Sequence, residues 1–165
     1  MCNDTANGLK VLLLNSSTKL EAGPLMGLGD LGSPQLQALS EQLTQLQTQQ
    51  FKYLLVVLHH APARRESDQW NWRQVLIRRS VKKTDMWDHT ELALNFSDAQ
   101  KLVEILERFA RSRPEIEVLI FHGHRHGRFL GRTDEGLRVV EAPAVVELVP
   151  GFWVGDIKGS SLQIS

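Results

Sequence analysis

The sequence predicts an α/β fold, and three observations carry that prediction. Short apolar runs bounded by Gly, Pro or Asn, which are typical of buried strands, occupy residues 9–14, 51–58 and 116–122. Between them lie stretches with apolar residues at three- and four-residue spacing, which indicates amphipathic helices. The second and third runs end in histidines. Because strands joined through a helix run parallel, these ends should meet at one edge of the sheet, where α/β proteins usually hold their sites.

The first strand and helix have clear boundary signals. Residues 9–14 (Leu-Lys-Val-Leu-Leu-Leu) form the strand, which Asn-Ser-Ser closes. A glycine-rich loop at 23–32 follows. Ser33 is then the expected N-cap, with Pro34 at the first helical position. The helix should end near Gln49, and four leucines share one of its faces: Leu36, Leu39, Leu43 and Leu46.

The second strand and helix are separated by an unusual segment. Residues 51–58 form the strand, which His-His-Ala-Pro stops. Residues 64–94 are charged, rich in tryptophan and without a clean period, as expected of a functional or partly disordered loop. Ser97 and Gln100 match a capping box that opens the second helix. Its apolar stripe is Leu102, Ile105, Leu106 and Phe109.

The histidine-ended strand is followed by several short segments with strand character. Gly and Pro turns separate residues 128–131, 137–141, 145–149 and 152–157. The chain has no internal repeat and no low-complexity tract. We therefore predict that residues 1–165 form a single domain.

Composition excludes several classes of function. Lys+Arg and Asp+Glu both number 19, so no net charge favours nucleic acid or an anionic membrane. The lone Cys2 excludes an internal disulfide framework and a cysteine-based zinc site, which fits a reducing compartment. No signal pattern opens the chain, and no apolar run reaches the roughly 20 residues of a membrane span. We expect a cytoplasmic protein without nucleic-acid or membrane partners.

Histidines are the candidate metal ligands. Four of the six follow the ends of the two predicted parallel strands: His59, His60, His124 and His126. Imidazole is the commonest metal ligand, and a first-row divalent ion suits such a set. Any one of these histidines could instead cap a strand end by hydrogen bonding, but the set favours a metal. His122, inside the strand, is expected in a packed or supporting role, and His89 is not expected to bind metal.

Two other patterns have weaker functional interpretations. Gly-Leu-Gly-Asp-Leu-Gly at 27–32 matches the dinucleotide-binding pattern, but it lacks a strand directly before it and an acidic residue after the next strand. We interpret it as a coincidental loop. The arginines, lysines and tryptophans of residues 64–83 could contact nucleic acid. With zero net charge, a lid over a phosphate site or a plain surface loop fits better.

The ordered set of motifs resembles the calcineurin-like metallophosphoesterase family. His-His-Ala-Pro at 59–62 and Gly-His-Arg-His at 123–126 are similar to the last two metal-binding blocks of that family. Gly-Asp-Leu-Gly-Ser-Pro-Gln-Leu at 29–36 resembles the Gly-x-Leu-Gly-x-x-Gln-Leu stretch of its cyclic-nucleotide-phosphodiesterase-like branch. Leu-Asn-Ser-Ser at 14–17 resembles that branch's Leu-Asp-Ser. The resemblance runs from about Val11 to Val146.

The resemblance implies a four-layer α/β/β/α sandwich with mixed sheets, of which this chain would form part. It also implies hydrolysis of small phosphomonoesters or phosphodiesters by a metal-activated hydroxide, with manganese, iron or zinc in a two-metal site. By position, His59 and His124 would bind one ion and His126 the other. His60 is the alternative to His59. The resemblance assigns no further catalytic residue.

The chain departs from the family before His59. The family's Asp-x-His, Gly-Asp-x-x-Asp and Gly-Asn-His-Asp/Glu blocks are absent from the sequence, and its Pro-Ser near the end reads Pro143-Ala144. Three imidazoles hold at most one ion, so a dinuclear centre requires the missing blocks. We expect the carboxyl-terminal part of a longer enzyme, inactive alone and prone to self-association through an exposed sheet edge or apolar face. The alternative is a non-catalytic metal-binding domain or subunit that needs a partner chain.

Overall fold

The strands and helices were located in a computed structural model, which describes residues 2–4, 8–17, 29–62, 94, 96–123, 129–133, 136–142, 155–158 and 161–164. Eight strands and two helices occur in this part of the chain. In order they are β1 (Cys2–Asp4), β2 (Leu9–Leu13), α1 (Gly32–Leu46), β3 (Tyr53–Leu58), α2 (Phe96–Ser112), β4 (Glu117–His122), β5 (Phe129–Arg132), β6 (Arg138–Glu141), β7 (Gly155–Lys158) and β8 (Ser161–Ile164).

The main sheet is mixed, with strand order β1-β2-β3-β4-β6-β5. Strands β2, β3, β4 and β6 are parallel, whereas β1 and β5 pair antiparallel at the two edges. Strands β7 and β8 form a separate antiparallel pair. The body of the fold, strands β2 to β6 with two helices, confirms the predicted α/β class. It also confirms that the two histidine-ended strands, β3 and β4, are parallel neighbours.

Both helices pack on one face of this sheet. Alternate strand residues, among them Leu54, Val56, Val118 and Ile120, form one apolar cluster with side chains from both helices. The two predicted helical stripes are confirmed. The residues Leu36, Leu39, Leu43, Leu46, Leu102, Leu106 and Phe109 are buried, and Ile105 packs against the cluster. The spacing of apolar residues in the two helices therefore predicts correctly which side chains are buried.

The other face carries an apolar row that crosses five strands in register. Its members are Leu13, Val57, Phe121, Val140 and Leu130. The middle of the row is covered, since Val140 is fully buried, but Leu13 and Leu130 at its ends are 66% and 42% exposed. The sheet therefore carries apolar side chains on both of its faces, as sheets covered on both sides do.

The start of α1 differs from the prediction. The helix begins at Gly32, one residue before Ser33, and the N-cap position is held by Leu31, whose apolar side chain cannot accept a hydrogen bond. Asp98 takes over this role from the neighbouring helix. Its Oδ2 accepts the N–H of Leu31 at 2.8 Å and of Gly32 at 2.9 Å. Ser97, the predicted N-cap of α2, lies instead within that helix, which starts at Phe96.

Arg113 closes the other end of α1. The helix ends at Leu46, three residues before the predicted Gln49. The Arg113 guanidinium donates to the carbonyl oxygens of Leu46 and Gln49, at 3.1 and 3.0 Å, and lies 5.8 Å from the centre of the Phe51 ring. It also pairs with Glu115, and this hydrogen bond lowers the pKa of the exposed Glu115 carboxyl. A cation at a helix C-terminus is favourable because it neutralises the carbonyl dipoles.

The remaining strand predictions had mixed outcomes. Strands β5 and β6 lie within one residue of the predicted 128–131 and 137–141. Strand β7 overlaps the last three residues of the predicted 152–157, whose first three lie outside the described residues, and β1 and β8 were not predicted. The predicted strand at 145–149 and nearly all of the 64–94 segment lie outside the described residues. Neither described helix combines the length and apolar character needed to cross a bilayer.

Candidate metal site

Strands β2, β3 and β4 end together at the edge of the sheet where the sequence predicts a metal site. The pairing of β3 with β4 continues one residue beyond both strands, because the N–H of Gly123 donates to the carbonyl of His59 at 3.0 Å. On the other side of β3, the N–H of Leu14 donates to Val57 at 2.8 Å. His59 therefore lies beside Gly123, the first residue of the Gly-His-Arg-His motif.

The His59 side chain is exposed at this edge. A methyl group built on Gly123 would lie 3.8 Å from its Nδ1 atom, so the ring faces the end of β4. His124 and His126 lie outside the described residues, as does His89. Within the described ranges, no group of three or more His, Cys, Asp or Glu side chains is arranged to hold a metal ion. The described part of the chain contributes one exposed imidazole next to the turn.

His60 has a different environment from its neighbour. Its side chain is only 5% exposed, and its Nδ1 lies 3.0 Å from the Ser16 hydroxyl. That hydroxyl also accepts the backbone N–H groups of His59 and His60, at 3.2 and 3.1 Å. A hydroxyl has one proton and two lone pairs, so with both lone pairs engaged its proton goes to Nδ1 of His60. The neutral His60 ring then carries its own proton on Nε2.

Gly29 lies against the His60 ring on the other side from Ser16. A methyl group on Gly29 would lie 2.3 Å from Cγ of His60, closer than any real contact allows. The N–H of Asp30 donates to the carbonyl of Ser16 at 3.0 Å, which holds Asp30 beside the residues that follow β2. His60 is thus enclosed between Ser16 and Gly29.

A side-chain amide completes this docking. Gln35 Oε1 accepts the N–H of Asn15 at 2.8 Å, and its Nε2 donates to the carbonyl of Asn15 at 2.9 Å. The Gln35 amide therefore pairs with Asn15 as a neighbouring strand would. The two stretches at 14–17 and 29–36, which the sequence analysis identified separately, are therefore hydrogen-bonded to each other and contact the His59-His60 pair.

His122 is buried on the helix-covered face at the end of β4. It is 2% exposed, and its Nδ1 lies 3.2 Å from the carbonyl oxygen of Gly123. In the sheet register it is flanked by Leu58 on β3 and by Glu141 on β6. Glu141 is also buried. The sequence indicates a packed or supporting role for His122, and its burial agrees with that expectation.

Sequence reasoning missed Ser16 and Glu141, and it did not see what Gly29 and Gln35 do. Ser16 could have been suspected. It follows β2, the histidine pair follows the neighbouring strand β3, and a small polar side chain in that place can link the two strand ends. Glu141 carried no local signal. Its place beside His122 follows only from the pairing of β4 with β6.

Comparisons with known protein families, with curated proteins and with solved structures found no match for this chain.

The described residues fit one metal ligand rather than a complete site. His59 is an exposed imidazole at the meeting point of the two strand ends, and a neutral imidazole nitrogen is a good donor to manganese, iron or zinc. His60 and His122 are buried and already held by neighbouring groups. Within the described residues, His59 is therefore the one side chain of this edge that is both exposed and suited to a divalent ion.

Proposed function

We propose that this chain carries the carboxyl-terminal metal-binding part of a calcineurin-like metallophosphoesterase that hydrolyses small phosphomonoesters or phosphodiesters. The single observation that supports it most is the hydrogen bond from the Gly123 N–H to the carbonyl of His59. It brings the first proposed ligand alongside the backbone that leads, one residue later, to His124. In the motif set, His59, His124 and His126 are the proposed ligands.

His59 is preferred to His60 as the ligand of the histidine pair. The Ser16 hydroxyl occupies Nδ1 of His60, and Gly29 packs against the ring. Binding a metal through Nδ1 would break the contact with Ser16, and binding through Nε2 would require access to a ring that is only 5% exposed. His59 needs no such rearrangement, since its ring is exposed beside Gly123.

In this proposal, the residues of the chain bind the metal ions and fix their positions, and the ions activate the water and the phosphate. When bound, divalent ions polarise phosphoryl oxygens and make a water molecule nucleophilic near neutral pH. Ser16 holds the backbone of both histidines at the end of β3, so His59 approaches the turn from a fixed direction. Three imidazoles suffice for one ion. A second ion requires the carboxylate-bearing blocks that residues 1–165 lack.

The face opposite the helices supports the four-layer arrangement. Both described helices pack on one face, and the apolar row of Leu13, Val57, Phe121, Val140 and Leu130 lies on the other. An α/β/β/α sandwich places a second sheet on that face. If the face were exposed to water, polar residues would be expected along it, alternating with the apolar residues that face the helices. From the balanced charge we further propose that the chain has no nucleic-acid or membrane partner, and from its single cysteine a cytoplasmic location.

Metal titration of the chain itself tests the proposed ligands. We expect isothermal calorimetry with Zn²⁺ and absorption spectra with Co²⁺ to show one tightly bound ion per chain. His59→Gln should weaken binding by more than the roughly 10- to 100-fold loss typical of a residue that only supports a ligand. His89→Gln is the matched control and should bind as the unaltered chain does. An unaltered chain without affinity for either ion would contradict the proposal.

Turnover is a separate question from metal binding. We expect no manganese-dependent hydrolysis of an aryl phosphate by residues 1–165 alone. Activity should appear when a segment carrying the missing blocks is supplied, and His59→Gln should then abolish it. If metal binds but such a segment restores no hydrolysis, the enzymatic part of the proposal is wrong.

That result would favour the second candidate function, a non-catalytic metal-binding domain or subunit. The observation in its favour is the sequence before His59, which contains two aspartates, Asp4 and Asp30, and no histidine. Such a domain would use its ion to hold a partner chain at the same sheet edge. Metal-dependent pairing without turnover would distinguish it from the enzyme.

A further inference from the structure

We propose that His122 is a positioning residue that fixes the peptide link between Gly123 and His124 by donating its Nδ1–H to the Gly123 carbonyl. The consequence for metal binding rests on the proposed function, because His124 is a ligand only under that proposal. The positioning itself depends on described atoms alone.

The Gly123 residue is held on both of its polar groups. Its N–H donates to the carbonyl of His59 at 3.0 Å, and its carbonyl oxygen lies 3.2 Å from Nδ1 of His122. A carbonyl oxygen can only accept, so Nδ1 must carry the proton. The first contact holds the peptide before Gly123, and the second holds the carbonyl of the peptide that leads to His124. They leave glycine, the residue with the greatest backbone freedom, with little of it here.

His122 is itself well placed to act as a fixed donor. Its carbonyl accepts the N–H of Ala142 at 2.8 Å, which ties its backbone to the chain after β6. Its side chain is buried at the end of the row that contains Leu58. Protein interiors confine such a side chain to a narrow range of rotamers.

The residue type at this position also indicates a polar role. Val118 and Ile120 precede His122 on the same face of β4, and both are apolar and buried. Packing alone would be served by another aliphatic side chain. Burying an imidazole costs free energy that its hydrogen bonds must offset, and Nδ1 of His122 has the Gly123 carbonyl as its partner. A histidine here is therefore explained by what its nitrogen holds.

Two substitutions separate the donor from the shape. His122→Phe keeps a planar ring but removes the Nδ1–H. His122→Asn is smaller, yet its side-chain amide can place an N–H close to the position of Nδ1. If the donor matters, His122→Asn should recover part of what His122→Phe loses. If only packing matters, His122→Phe should be the milder of the two.

Nuclear magnetic resonance of the metal-free chain, at a mildly alkaline pH, is the first measurement. We expect long-range ¹H–¹⁵N correlations to show the His122 ring protonated on Nδ1. In His122→Phe, the amide signals of Gly123 and His124 should shift and exchange of the Gly123 N–H should rise roughly fivefold, the effect of about one hydrogen bond. Val56, in the middle of β3, is the internal control. An Nε2–H tautomer, which needs no variant to detect, overturns the proposal, as do unchanged amides in His122→Phe.

Zinc titration of the same variants is the second measurement. We expect His122→Phe to bind Zn²⁺ about 10- to 100-fold more weakly than the unaltered chain, with His122→Asn between them. Equal affinity in His122→Phe would overturn the positioning role while leaving the proposed function intact. An unaltered chain that binds no zinc would instead contradict the proposed function, and the metal-free spectra alone then decide the role of His122.

Discussion

In the segment Gly-Asp-Leu-Gly-Ser-Pro-Gln-Leu at 29–36, four of the eight residues have a clear physical role. Gly29 is required because the His60 ring occupies the space of a side chain. Gly32 has φ +70°, a backbone conformation that favours glycine. Gln35 pairs with the backbone of Asn15, and Leu36 is buried in the core. A stretch that the sequence marks only by resemblance is thus explained by contacts between three segments of chain.

Gly29→Ala should therefore destabilise the protein through His60. All three atoms closest to the added methyl belong to His60, and the nearest is 2.3 Å away. We expect a loss of about 1–3 kcal/mol, as for other overpacked positions, measured by urea unfolding. Gly123→Ala is the matched control, because its methyl would lie 3.8 Å from the nearest atom. Equal stability of the two variants would contradict the enclosed placement of His60.

The sequence predicts the role of a residue well when that role depends on the strand or helix that contains it. It predicts the role poorly when a distant segment of the chain determines it. The presence of a histidine pair at the end of β3 follows from the local pattern. The choice between His59 and His60 does not, because it depends on Ser16 and Gly29, which lie 44 and 31 positions from His60 by their numbers. Hydrogen bonds across such separations leave no period in the chain.

At the level of elements, each end of α1 is completed by a residue outside it. Asp98, in the first turn of α2, accepts two N–H groups at the start of α1. Arg113, just after α2, donates to the carbonyls at its end. The two helices therefore stabilise each other at both ends. This is why the predicted N-cap Ser33 and the predicted end at Gln49 were wrong, although the leucine stripe between them was right.

Asp98→Ala should destabilise the protein by about 1–3 kcal/mol, because it leaves two N–H groups at the start of α1 without this acceptor. Ser97→Ala is the control that separates the two possible caps. If Ser97 acted as the N-cap of α2, its loss would cost about 1 kcal/mol. Because it lies exposed within the helix, we expect less than about 0.5 kcal/mol. Chemical denaturation of both variants measures the difference, and a reversed order would contradict the arrangement.

For the molecule as a whole, the sequence predicts the centre of the sheet better than its margins. Strands β2, β3 and β4 are apolar runs that alternate with helices, so their parallel order follows from pattern. The antiparallel strands β1 and β5 at the edges depend on pairings that short segments do not specify by themselves. The second face, with its apolar row, was not predicted residue by residue.

That second face should make the chain associate with itself. Leu13 is 66% exposed at one end of the row, and a second copy could cover it where we propose that a second sheet packs. We expect concentration-dependent association in sedimentation velocity, and Leu13→Gln should weaken it about tenfold, the effect of roughly 1.4 kcal/mol of apolar burial. Ala38→Gln, on the exposed side of α1, should have no effect. A strictly monomeric unaltered chain would contradict this expectation.

The hydrogen bond between Gly123 and His59 extends the pairing of the two innermost strands of the sheet. Thermal opening of a sheet generally begins at its outermost strands and reaches the interior last. The histidine-bearing tips thus inherit the slowest-opening region of the molecule. Opening of the edge strands β1 or β5 alone would therefore leave the hydrogen bond between Gly123 and His59 intact.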